Sequence, residues 1–264
     1  MSDPRCLGVL LCFNDGDLLE ESITYLLEQN HDLIAWDHGS TDETPRVLEK
    51  FRPHLCEIRR VPRDFDFYKL YPAMSRHLIE NHIGDYDWIS WPDQDEFLEG
   101  PARDRRYFDY IAEAHESGDD WIRFNNFNFW WTDEDDPSIR EPTRRIRRYA
   151  LWPDCPPRIR AWRASVTNLR HFNHNPLDGT PLLRPFNLRH YPMRSAKQMR
   201  ARVERDRAGL RRGDMNFHYE NMRRRPSSLR ILAAALHYDD GTSELDPDPI
   251  FDWRSVYGRS PEPA

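Results

Sequence analysis

Apolar and polar positions alternate in blocks along the first half of the chain. Leu7 to Cys12 (LGVLLC) is an unbroken apolar run of strand length, and Leu19, Ile23, Leu26 and Leu27 then follow at helical spacing. Asp15 or Asp17 stands where such a helix needs a cap. Leu33 to Trp36 predicts a second strand, ending at Asp37. Thr44 followed by Pro45 predicts an N-cap with proline at the first helical position, opening a helix to Phe51. Leu55 to Arg60 predicts a third strand, Pro72 to His82 a helix, and Trp88 to Trp91 a fourth strand. Arg103 to Ser117 predicts another helix and Trp121 to Phe129 another strand. Repeated strand–helix–strand units predict an α/β fold, with a mostly parallel sheet flanked by helices. Ligands of such sheets bind outside the carboxyl ends of the strands.

The second half is less regular. Asp133 to Pro142 is acidic and carries prolines, which predicts a loop. Arg144 to Trp152 and Arg158 to Trp162 are candidate strands, and Ser195 to Leu210 is a candidate helix capped by Ser195. Neither an internal repeat nor a clean linker is visible. The expected organisation is one domain over residues 1–238, with halves 1–130 and 131–238, followed by a tail over 239–264. Asp, Pro, Gly and Ser dominate that tail, which predicts an extended, partly disordered segment.

Composition narrows the function classes. Hydrophobic residues make up 38% and charged residues 31% of the 264, polar for a globular chain, but 9 Trp, 11 Tyr and 13 Phe can build a core. The net charge of -7 disfavours nucleic acid or an anionic membrane as the main partner. The cationic residues are nearly all Arg, Lys occurring only at 50, 69 and 197. The Arg-rich runs at 144–148 and 223–225 read as solvated faces rather than a nucleic-acid surface. Cys6, Cys12, Cys56 and Cys155 form no C-x-x-C pair, against a zinc knuckle or redox motif. With no leader-like start and no apolar run near 18 residues, a cytoplasmic protein with reduced thiols is expected, peripheral membrane association remaining open. The chain has no G-x-G-x-x-G, P-loop, G-x-S-x-G or H-E-x-x-H.

Two acidic segments carry the candidate chemistry, and both fall at predicted strand carboxyl ends. The first is Asp37-His38-Gly39-Ser40, where Gly39 permits a tight turn and Asp37 can accept a hydrogen bond from a base or ribose. The second is Asp93-Gln94-Asp95-Glu96, directly after the apolar Trp88–Trp91 run. Crowded carboxylates repel one another and favour a hard divalent cation, Mn²⁺ or Mg²⁺, which would neutralise a diphosphate leaving group. A solvated acidic turn is the plainer alternative. The histidines of His171-Phe172-Asn173-His174 read as solvated loop residues rather than ligands.

Taken in order, CFND after the first strand, WDHGSTDET after the second, WPDQDEFL after the fourth and the late LRHYPMRSAKQMRARV resemble family 2 glycosyltransferases of the GT-A fold, a Rossmann-like architecture. The resemblance spans roughly residues 5–205. It implies a metal-dependent inverting transfer of a sugar from a nucleotide-diphosphate donor to an acceptor hydroxyl, on a glycan, a lipid-linked molecule or a small molecule. It implies Asn14, Asp15, Asp37, Ser40, Asp93 and Arg194 around the nucleotide sugar, and Asp93, Asp95 and His190 around the metal. Asp15 stands where the family usually has Glu, and the separate acidic pair that often supplies the base is not evident. The candidate bases are Asp178 first, then Glu96 and Glu220. Another metal-dependent nucleotide enzyme (a nucleotidyltransferase or phosphohydrolase) and a non-catalytic binding protein on the same scaffold are the alternatives.

Overall fold

A computed structural model describes residues 3–152, 158–169, 178–198, 200–201 and 233–248, with the backbone only at 67–68. In chain order the elements are β1 (Cys6–Cys12), α1 (Leu19–Glu28), β2 (His31–Asp37), α2 (Thr44–Phe51), β3 (Glu57–Arg60), α3 (Phe67–Asn81), β4 (Trp88–Ser90), β5 (Glu96–Glu99), α4 (Tyr107–Ser117), β6 (Trp121–Trp130), α5 (Pro142–Arg145), β7 (Arg148–Leu151), β8 (Arg158–Arg163), β9 (Phe186–Met193) and β10 (His237–Tyr238). The chain divides into two compact units. One holds residues 1–126 and 155–190, the other 127–154 and 191–264.

The first unit carries the expected α/β sheet, in the order β3-β2-β1-β4-β8-β6. β3, β2, β1 and β4 are mutually parallel. β8 runs antiparallel to β4, and β6 antiparallel to β8, so only β8 is reversed on this path. Off this path, β5 pairs antiparallel with β9, which also pairs with β6. Every residue of β1 is buried, the signature of a central strand covered on both faces. Its alternate side chains feed different cores. Leu7, Val9 and Leu11 join Leu70, Met74 and Leu78 of α3 with Trp91 and Trp162. Leu10 and Cys12 join Leu19, Ile23 and Leu26 of α1 with Val47 and Leu48 of α2. A third cluster packs Tyr107, Phe108 and Ile111 of α4 against Trp88, Leu98, Phe124, Phe186 and Leu188.

Helix starts differ from the sequence-based expectation for local reasons. No side chain caps α1; the Asp15 carbonyl accepts the Leu18 and Leu19 N–H groups instead. Glu43 occupies the cap position of α2, and the Asp42 carboxylate accepts the Thr44 N–H at 2.9 Å, which frees the Thr44 hydroxyl to receive Asp15 N–H at 3.1 Å. α3 begins before Pro72 rather than at it. α4 begins only at Tyr107, because Arg106 and Asp109 close a reciprocal cap, and Gly118 ends it at φ 85°.

In the second unit, residues 127–129 of β6 pair antiparallel with β7, which pairs with β10. An aromatic stack of Phe129, Tyr149, Tyr191 and His237 runs through it. The strand expected over Arg144 to Trp152 is instead a helical turn, α5, followed by the shorter β7, since Pro142 presets the turn. The expected extended tail is folded at its start. Asp240 accepts from Thr242 and Ser243, Asp246 N–H donates to Tyr149 Oη at 2.8 Å, and Leu245 is buried. Residues 249–264 and most of the Ser195–Leu210 segment lie outside the described residues. Among the described residues no helix is long and apolar enough to cross a membrane.

Candidate active site

The parallel register brings three strand ends together: Cys12 of β1 lies beside Asp37 of β2, and Asp37 beside Arg60 of β3. The chain must turn sharply after Asp37, and Gly39 supplies the left-handed conformation at φ 64°. A Cβ there would sit 2.8 Å from the Arg63 backbone nitrogen. The buried Asp37 carboxylate accepts Ser40 N–H at 2.9 Å through Oδ1 and lies 3.6 Å from Arg60 Nε through Oδ2. The post-β1 loop braces the same turn. Asn14, at φ 55°, donates its N–H to Ser40 Oγ at 2.9 Å and accepts Thr41 N–H at 2.8 Å. Gly16 N–H reaches Asp42 Oδ2 at 2.9 Å. Beside this frame lies an open depression of about 490 Å³ lined by Gly39, Thr41, Arg60, Val61, Pro62 and Arg63.

β4 stops at Ser90, and the chain turns through Asp93–Glu96 before β5. Glu96 N–H donates to the Asp93 carbonyl at 3.0 Å, and Asp93 N–H to Glu96 Oε2 at 2.9 Å, closing the turn. Ser22 of α1 ties it down by donating to the Gln94 carbonyl at 2.8 Å. Glu96 is fully buried in a fork of arginines from β8. Arg160 donates to both of its oxygens, at 2.5 and 2.9 Å, and Arg158 donates to Oε1. Burial alone would raise the Glu96 pKa, but Arg160 and Arg158 outweigh it and pull it down to about 2. Arg160 also reaches Asp93 Oδ2 at 2.9 Å. Partial burial, with repulsion from Glu96 and Asp95, raises the Asp93 pKa against that pull. The β5–β9 register sets Glu96 opposite His190, and this places His190 Nε2 3.6 Å from Asp95 Oδ1.

The expected residues therefore separate into groups. Asn14, Asp15, Asp37 and Ser40 form one frame. Asp95 and His190 meet as the resemblance implies, but Asp93 turns to Arg160, so the expected trio does not converge on one point. Among the described residues only Glu57, His77 and His82 bring three such ligand atoms within 4.8 Å of one another. Asp95 and His190 still fit a hard divalent ion, because Mn²⁺ and Mg²⁺ need few protein ligands when phosphates and water complete the shell. Glu96 does not fit the base role, being fully buried, doubly paired and strongly acidic. Asp178 is exposed, accepts from Asn168 at 3.2 Å, and does not join the site: Thr180, two residues on, pairs with Asp120 at the amino end of β6, the sheet edge opposite the strand carboxyl ends. Glu220 and His171–His174 lie outside the described residues. Arg194 belongs to the second unit, fully buried, and donates to the Tyr191 carbonyl at 3.2 Å. Trp130 is buried and stacks on Trp152 within that unit, a packing role. Sequence reasoning missed Arg60, Arg158 and Arg160. The signal for the last two was present: in RIRAWR the arginines alternate, which puts both on one face of a strand.

The sequence profile of glycosyl transferase family 2 matches residues 9–168, more than half of the chain. The chain belongs to that family. As a family 2 member its strand-end frame and carboxylate turn sit within the matched span, while β9 with His190 lies beyond it. Similar solved structures include Staphylococcus aureus TarS, with 12% identity over 76% of this chain and 39% of that one and a TM-score of 0.42. A second is the mannosyltransferase PcManGT from Pyrobaculum calidifontis in complex with GDP-Man and Mn²⁺, with 15% identity, 81% and 66% coverage and a TM-score of 0.43. A third is TarS 1-349 in complex with UDP, with 12% identity, 86% and 75% coverage and a TM-score of 0.42. The chain spans about two fifths of the first TarS chain. None of the curated proteins matches it.

Proposed function

We propose that this family 2 member transfers a sugar, with inversion, from a nucleotide-diphosphate donor to an acceptor hydroxyl. The observation that carries the reading is the shared position of two polar frames at strand carboxyl ends, Asp37 after β2 and the Asp93–Glu96 turn after β4, in a chain of this family. The Asp37 frame, with Asn14, Asp15 and Ser40, would take the nucleoside, its buried carboxylate accepting a base or ribose donor. Asp95 and His190 would hold Mn²⁺ or Mg²⁺ against the diphosphate. The bound ion would neutralise the charge that grows on the leaving diphosphate.

The arginine fork has a separate role in this reading. It fixes the turn that presents Asp95, and it keeps Glu96 ionised and out of proton transfer. The acceptor proton then goes to another carboxylate, and not to Asp178, which stands by the amino end of β6.

The test is a donor panel of UDP-, GDP-, dTDP- and CDP-sugars with Mn²⁺ and mixed acceptors, read as nucleoside diphosphate released and product formed. Asp95→Asn is expected to abolish the Mn²⁺-dependent turnover, and Asp178→Asn, at the other edge of the sheet, to leave it unchanged. Full Mn²⁺-dependent turnover in Asp95→Asn would overturn the reading. Donor breakdown that no acceptor accelerates favours a phosphohydrolase instead.

A further inference from the structure

We infer that Glu57, His77 and His82 form a second divalent-metal site, of the zinc type, separate from the donor site. Glu57 opens β3, His77 lies one turn before the end of α3, and His82 follows the helix end at Asn81. Both imidazoles aim the same atom at the same oxygen. His77 Nε2 is 2.8 Å from Glu57 Oε2, and His82 Nε2 is 3.1 Å from it. Two imidazole nitrogens and a carboxylate oxygen, with one position open for water, are a ligand set that zinc accepts.

The spacing suits an ion after a small adjustment. Ligand atoms about 2.0–2.1 Å from a tetrahedral centre stand about 3.3 Å apart, a few tenths of an ångström more than the two distances here. The surroundings hold the ligands from behind. Arg59 Nε donates to the other Glu57 oxygen, Oε1, at 2.8 Å, which leaves Oε2 aimed between the rings. The Asn81 amide lies 3.0 Å from His77 Nδ1. Metal at Nε2 would put the ring proton on Nδ1, so that amide would turn to accept it and give up its 2.9 Å donation to the His77 carbonyl. The Trp36 ring packs against His77 at 5.4 Å, and Arg59 covers the other part of Trp36 at 4.9 Å. All three ligand side chains keep only 13–21% exposure, so a bound ion would be shielded yet reachable by water.

The position gives the site a mechanical meaning. Glu57 and Arg60 are the two ends of β3, about 10 Å apart at strand rise, and Arg60 faces Asp37. The ion would thus staple the C-terminal end of α3 to the edge strand, at the end of β3 away from the donor frame. Without an ion the same groups form a hydrogen-bonded clasp.

The test uses the full chain stripped with a chelator and titrated with Zn²⁺ alone, by calorimetry, with Co²⁺ absorption as a reporter of nitrogen ligands. The wild type is expected to take up one equivalent of Zn²⁺ and to melt at a higher temperature with it. His77→Gln and His82→Gln should each weaken uptake by roughly 100-fold or more, whereas Asp95→Asn should keep it. Circular dichroism checks folding, and if His77→Gln does not fold, His82→Gln, beyond the helix end, decides. No uptake by the wild type, uptake kept in both histidine variants, or uptake lost only in Asp95→Asn would each overturn the assignment.

Discussion

Replacing Arg160 with Met isolates what the arginine fork does. Arg160 is 7% exposed and Glu96 fully buried, and Arg160 makes contacts of 2.5, 2.9 and 2.9 Å to Glu96 and Asp93. The substitution keeps the apolar stem and leaves Arg158 alone to hold a carboxylate whose pKa the two arginines together had pulled from 4.5 to about 2. That shift corresponds to about 3 kcal/mol, and breaking a buried pair from one side typically costs about 3–5 kcal/mol. For a chain of this size the melting temperature should fall by about 6–12 °C. Urea unfolding at pH 7, followed by tryptophan fluorescence, measures the loss directly. The pH dependence is diagnostic. A carboxyl with a depressed folded pKa contributes stability that is present above about 4.5 and lost as pH falls towards about 2. The gap between wild type and variant should therefore narrow over that window. Adding Glu96→Gln to Arg160→Met should recover about 2 kcal/mol, because no buried charge is then stranded. A loss under about 1 kcal/mol at pH 7, or additive effects of the two substitutions, would refute this reasoning.

Other outcomes follow from the same geometry. Burial lowers the His31 pKa from 6.5 to about 4, against the opposing pull of the Gln29 carbonyl, so stability falls as pH drops from about 6.5 to 4; His31→Asn should flatten that slope in urea titrations. Asp37→Ala removes the acceptor for Ser40 N–H and should weaken nucleotide binding at least about 10-fold by calorimetry, near 1.4 kcal/mol. Gly39→Ala forces a Cβ to 2.8 Å from the Arg63 backbone at a left-handed position, and should lower the urea midpoint by an amount worth about 1–2 kcal/mol.

The parallel half of the fold was legible because its strands are covered on both faces and read as apolar runs, as LGVLLC does. The helix between Leu19 and Glu28 was legible from spacing alone. Boundaries were less so, because a distant contact can redirect a cap: Thr44 serves Asp15, 29 positions back, and Asp42 receives the Thr44 N–H instead. β5 is four residues whose pairing partner, β9, lies about 90 positions on, and no local pattern announces that pairing. The carboxylate cluster was visible, but not its division of labour. Glu96, Asp93 and Asp95 look alike as sequence. Only the fold shows the first two drawn to Arg158 and Arg160 while Asp95 meets His190. Glu57, His77 and His82 carry no recognisable spacing, since strand pairing and helix packing create that convergence.

The most direct test of the central claim is a thermal-shift panel of UDP, GDP, dTDP and CDP, each with and without Mn²⁺, on the wild type and on Asp95→Asn. One nucleoside diphosphate should stabilise the wild type more strongly with Mn²⁺, by about 2.7 kcal/mol at 100 times its dissociation constant. Asp95→Asn should lose the Mn²⁺-dependent part. No stabilisation by any of the four, or an undiminished Mn²⁺ response in Asp95→Asn, would contradict the account.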